Sequence, residues 1–146
     1  MIFRSDAEKA DLAASWRRSD RAFFAGGACH ILSHVYLLEY PHSGYHPFYI
    51  QPAPGFRGSH VLVSDGTTVF DYHGFSDHDR YMAHYFAKLR RLSPGWQAEV
   101  IPLEGSLVDP AFCSRYQHRL PTQYFEDPLP RATRFLRRLQ KHARHS

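Results

Sequence analysis

An Asp65-Gly66 pair stands between two β-branched runs, Ser59-His60-Val61-Leu62-Val63-Ser64 and Thr67-Thr68-Val69-Phe70-Asp71-Tyr72. Such a pair is among the strongest short-range signals for a hairpin, because a type I′ turn needs positive φ at both central residues. With Asp65 and Gly66 in those places, Ser64 faces Thr67, Val63 faces Thr68 and Leu62 faces Val69. Val61 then faces Phe70, and His60 faces Asp71. Directly opposed side chains share one face of a sheet, with Cβ atoms about 4.5–5.5 Å apart. The turn is therefore expected to set an imidazole beside a carboxylate.

Upstream of the hairpin, Gly26-Gly27-Ala28-Cys29-His30 leads into apolar residues at helical spacing: Ala28, Ile31, Leu32, Val35 and Leu38. Pro41 ends the run, so the pattern predicts a helix over residues 28–39. Cys29 falls in its first turn. There the unpaired backbone N–H groups and the positive end of the helix dipole stabilise a thiolate. A thiolate at a helix start and an oriented imidazole together make an activated sulfur nucleophile. The candidate catalytic residues are Cys29, His60 and Asp71.

In this pattern the chain resembles the papain-like superfamily in its broad sense: papain-type peptidases, NlpC/P60 amidases, transglutaminase-like proteins and arylamine N-acetyltransferases. The matching residues are Cys29 in Gly-Gly-Ala-Cys-His, His60 in Gly-Ser-His-Val and Asp71 in Val-Phe-Asp-Tyr-His-Gly, which together span about a third of the chain. The resemblance implies a papain-like α+β fold, with a nucleophile helix near the N-terminus and further helices against a small antiparallel sheet. It also implies acyl transfer through sulfur. Papain itself has a tryptophan after its cysteine where this chain has His30, and an upstream glutamine that this chain lacks. The backbone N–H of Cys29 is the expected oxyanion donor.

The 146 residues fit one domain, residues 1–146, large enough to bury a core. Two cysteines do not make a disulfide framework, although Cys29 and Cys113 could in principle be bridged. No stretch approaches the roughly 18 apolar residues of a membrane span. The opening residues lack the apolar run of a secretory signal, so a cytoplasmic protein without a membrane partner is expected.

Along the chain, a first helix is expected over residues 5–18, capped by Ser5 or Asp6. Residues 40–58, rich in proline, glycine and aromatics, read as an ordered loop with a short strand near Phe48-Tyr49-Ile50. Its aromatics either wall a substrate groove or cap the edge of the core. Ser76 or Asp77 can cap a helix over residues 79–92, whose stripe is Tyr81, Met82, Tyr85, Phe86, Leu89 and Leu92. Residues 97–103 read as a strand beside the hairpin, residues 110–116 as a short helix or turn, and residues 131–142 as a basic amphipathic helix.

Simpler roles compete with catalysis. A lone cysteine on an apolar helix is often a small buried hydrophobe, and His60 with Asp71 could be a structural polar pair. His73 shares the face of Asp71 if the strand continues, and so competes for the carboxylate. His30 and His34, four apart and next to Cys29, could hold zinc, but Ile31 breaks the His-Glu-x-x-His pattern. No metal or cofactor is expected. The arginines of residues 131–144 read as a solvated face; no stacking motif accompanies them, so nucleic acid is not an expected partner. The expected activity is that of a cysteine hydrolase or acyltransferase on a peptide or a small amide or acyl substrate. The alternative is a non-catalytic binding module on the same framework.

Overall fold

In the computed structural model, which describes residues 11–145, the chain runs α1 (Leu12–Trp16), α2 (Asp20–Ala25), α3 (Cys29–Glu39), β1 (His46–Pro52), β2 (His60–Ser64), β3 (Thr68–Asp71) and β4 (Gly74–Asp77). It continues through α4 (His78–Leu92), β5 (Ala98–Pro102), α5 (Pro110–Tyr116), a 3₁₀ turn (Pro121–Gln123) and α6 (Pro128–His145). The fold is α+β, with one five-stranded sheet in the order β4-β3-β2-β1-β5, antiparallel at every pairing.

The hairpin forms, but its register differs from that of a two-residue turn. Val63 pairs with Phe70 and Ser64 with Val69, a slip of two residues. Asp65 does not take positive φ: among the described residues only glycines and Gln117 do. Its carboxylate instead accepts from the N–H groups of Thr67 and Thr68, both at 2.8 Å, while its own N–H donates to the Thr68 carbonyl. This side-chain cap outcompetes the type I′ geometry and leaves residues 65–67 between the strands, with Gly66 alone of these at positive φ, 92°. Because side chains alternate with period two, a slip of two keeps each on its face. His60 and Asp71 therefore remain on one face, as diagonal rather than direct neighbours.

Helices cover both faces. Val63 and Phe70 pack with Phe24, Ile31 and Leu136 from α2, α3 and α6 on one side. On the other, Ile50, Leu62 and Val69 pack with Tyr85 and Leu89 of α4 and with Trp96. All five residues of β2 are buried, which accounts for its unbroken apolar run. The strand at residues 98–102 pairs with β1 at the far edge and not with the hairpin, because β1 already occupies the free side of β2. β1 itself is longer than the short strand expected within residues 40–58. The strand after the loop ends at Asp71, and Tyr72-His73 turns the chain into β4, with Asp71 opposite Gly74.

The helix expected over residues 5–18 has its start outside the described residues. Its C-terminal part is α1, which is followed by a separate helix, α2, capped by the Ser19 hydroxyl on the Ala22 N–H. Asp77 caps α4 through the Arg80 N–H. On the basic C-terminal helix Arg134, Arg137, Arg138 and Lys141 are exposed, and Arg131 is the exception among the described residues. Arg131 donates to Asp20, to the Trp16 carbonyl and to the Arg18 carbonyl, each at 2.7 Å, with its guanidinium 4.2 Å from the Phe23 ring centre. It thereby ties α6 to the end of α1 and to α2. Among the described residues, no helix is long and apolar enough to cross a membrane.

Candidate active site

Cys29 is the first residue of α3. No side chain caps this helix: its N-cap is Ala28, reached through Gly27 at φ 131°. The helix starts against the beginning of β2, and the Val61 N–H donates to the Cys29 sulfur at 3.4 Å. That contact fixes the thiol beside the residue preceding Val61, which is His60. The three candidate residues thus converge from three elements, although two of them were placed by a turn whose register differs.

His60 is held on several sides. Its Nε2 meets Asp71 Oδ2 at 2.9 Å, which leaves Nδ1 for the sulfur. Its ring lies parallel to that of Tyr85 and edge-on to that of Tyr72, at 5.9 and 5.5 Å. Asp71 is equally constrained. Tyr81 donates its hydroxyl to Oδ2, and the His73 N–H donates to Oδ1 at 2.8 Å. The His73 ring approaches Oδ1 at 3.3 Å but is 45% exposed, against 2% for His60. The two imidazoles share the carboxylate: His60 takes Oδ2 inside the fold, while the His73 ring lies 3.3 Å from Oδ1 and 3.4 Å from Oδ2 at the rim.

Burial and pairing pull the ionisations in opposite directions, and pairing wins for the triad. Burial pushes the Cys29 thiol up, but hydrogen bonding with His30 and His60, and the charge of His60, hold it well below its ordinary value. Burial pushes His60 down, yet Asp71 and Cys29 raise it to about 10. Burial pushes the Asp71 carboxyl up, while the bonds from His60 and His73 hold it well below the usual carboxylate range. The resulting species is a thiolate–imidazolium pair on a buried carboxylate.

Two further histidines flank the sulfur. Burial lowers His30 while Cys113 and Cys29 raise it to about 9, and its Nε2 meets the Arg119 carbonyl at 2.7 Å. His118 stacks on His30 at 4.4 Å, and burial lowers it to about 4, so it is neutral where His30 is charged. His30, the residue after the cysteine, is thus a second cation beside the thiolate. Cys29 and Cys113 are both free. Among the described residues, Cys29, His30 and His34 do not gather into a ligand set for a metal ion.

Cys29 opens onto a cleft of about 560 Å³. One wall is the loop after β1, with Pro54, Phe56 and Arg57, and the other is the end of α5 and the segment after it, with Tyr116, Gln117 and His118. Part of the aromatic loop therefore does line a groove, while Tyr45 packs on the core. Gln117 takes a left-handed conformation at the C-terminal end of α5, which turns the chain so that His118 and Arg119 also line the cleft. Local pattern does not reveal His118, because only the tertiary return of α5 brings it to Cys29. Tyr81 and Tyr85 carry a weak signal: two phenols four apart on an otherwise apolar stripe, each with a hydroxyl to satisfy.

No family model, no curated protein and no solved structure matches this chain.

Proposed function

We propose that the protein is a papain-like cysteine hydrolase or acyltransferase that cleaves an amide bond through a thioacyl intermediate. The observation that carries this is the convergence of the first residue of an uncapped helix, Cys29, with a histidine whose far nitrogen is held by a buried aspartate. The Cys29 sulfur attacks the carbonyl carbon, forming a C–S bond, and the backbone N–H of Cys29 receives the developing oxyanion. His60 passes its proton to the leaving nitrogen as the C–N bond breaks. Water or an amine then attacks the thioester, His60 takes the proton, and the C–S bond breaks to restore the thiolate. Asp71 keeps the His60 ring turned toward sulfur throughout. Two free thiols suit a reducing compartment such as the cytoplasm.

An activated acyl ester offered to the protein, followed by mass spectrometry after acid quench, is the test. The expected result is an acyl adduct confined to Cys29 and absent in Cys29→Ala. Acylation spread over surface lysines, or no adduct, contradicts the proposal. One observation favours the alternative of a non-catalytic module: Cys29 is only 6% exposed. That alternative predicts reaction of Cys29 only after denaturation.

A further inference from the structure

Asp71 receives one donor more than holding His60 requires, and it comes from a helix that does not line the cleft. Oδ1 accepts the His73 backbone N–H, while Oδ2 accepts both the His60 Nε2–H at 2.9 Å and the Tyr81 hydroxyl. Tyr81 stands in the first turn of α4, which Asp77 caps, and its ring lies parallel to that of Tyr85 at 6.0 Å. It is buried and lies away from the cleft, so its hydroxyl meets the reaction only through the carboxylate. Burial and the Asp71 charge push that hydroxyl well above its ordinary value, which keeps it a neutral donor at working pH. The titratable groups that face His60 and Asp71 are Cys29 from α3, Tyr72 and His73 from the turn after β3, Tyr81 and Tyr85 from α4, and His118 from the segment after α5. Tyr85 sends its hydroxyl to the Gly58 carbonyl. Two phenols one turn apart on the same helix therefore differ in whether they touch Asp71.

We infer that Tyr81 is a positioning residue acting through Asp71: by sharing Oδ2 with His60, its hydroxyl takes up part of the carboxylate charge and limits how firmly His60 holds its proton. This rests on the reading of Cys29 as nucleophile and His60 as its proton carrier. In that reading His60 releases a proton to the leaving nitrogen and then takes one back. A carboxylate that faced the imidazolium alone would oppose the release. A hydrogen bond to an ionised acceptor stabilises the charge where it sits, so less of it is left to hold the imidazolium. The sign follows from the shared oxygen. Removing the hydroxyl concentrates charge on Oδ2 and tightens the His60 proton, and a stronger donor in the same place loosens it.

Nitrogen NMR of the histidine-labelled protein reads the His60 ring directly. In Tyr81→Phe the step at which His60 loses its proton should rise by about one pH unit. Placing 3-fluorotyrosine at position 81 supplies a more acidic phenol of nearly the same shape, and should lower the step even where Tyr81→Phe costs stability. Tyr85→Phe loses a buried hydrogen bond of the same kind without touching the carboxylate, and should leave the step in place. At pH 7, with no alkaline titration, the His60 Nε2 proton resonance should move downfield in Tyr81→Phe and stay in Tyr85→Phe. A step unmoved in Tyr81→Phe, moved equally in Tyr85→Phe, or raised by the fluorinated phenol overturns the role of Tyr81 and leaves the nucleophile standing. A His60 that titrates near its ordinary value of about 6.5 in the unsubstituted protein removes the thiolate–imidazolium pair, and the role of Tyr81 with it.

Discussion

His60→Ala is expected to slow alkylation of Cys29 by iodoacetamide about 100-fold at pH 6, with the loss shrinking as pH rises. The sulfur reacts as thiolate, and in the folded protein the imidazolium of His60 is a main reason why it is ionised at that pH. Without the imidazole, burial remains and pushes the thiol up, opposed chiefly by His30. Each tenfold loss of thiolate costs about 1.4 kcal/mol, so two decades require about 3 kcal/mol, within reach of one buried charge-assisted contact. The alkylation rate of the unsubstituted protein should be nearly flat from pH 6 to 8, whereas that of His60→Ala should climb with hydroxide. Parallel profiles for the two proteins would show that His60 does not act on the sulfur. His30→Ala should produce a smaller shift in the same direction.

Asp71→Ala should be the most destabilising change in the site, by about 3–5 kcal/mol near pH 7, as removing one partner of a buried ion pair leaves the others stranded. The stranded groups are the His60 Nε2, the Tyr81 hydroxyl and the His73 N–H. The pH dependence has a definite sign. The Asp71 carboxyl is held below its unfolded value, so its contribution is present above about pH 4 and is lost as pH falls toward the folded value. His60 is held up to about 10, so its contribution is complete below about pH 6.5 and is lost as pH rises through 10. Cys29 acts the other way, because its lowered value adds stability above the unfolded thiol range that is lost as pH falls. The deficit of Asp71→Ala, measured by urea unfolding, should therefore narrow by up to about 1.4 kcal/mol per pH unit below pH 4. A deficit of equal size at pH 3 and pH 7 would mean that Asp71 is not ionised and paired in the folded state.

The parts of this fold legible in the chain are those governed by local period and punctuation. The Cys29–Glu39 helix, the Asp77 cap, the short helix at Pro110 and the apolar β2 each follow from patterns within a dozen residues. The hairpin teaches a finer lesson. Asp-Gly marked the reversal, but Asp65 used its carboxylate rather than its backbone freedom, and the register moved by two. The His60–Asp71 contact survived because the side-chain period is also two; a slip of one would have put the pair on opposite faces. Long-range placement was not legible. Nothing near residues 97–103 says that β1 and not the hairpin is their neighbour. Nothing near His118 says that α5 returns it to a stack on His30. The expected first helix stops at residue 18, and the separate helix α2, which the Ser19 cap starts, was not expected.

The most direct measurement is the ultraviolet absorbance of the thiolate as a function of pH, in the folded protein and in Cys29→Ala as the blank. A thiolate–imidazolium pair predicts a Cys29-dependent step well below pH 7, which moves upward in His60→Ala. A step near the ordinary thiol value of about 8.5, unchanged by His60→Ala, would contradict it.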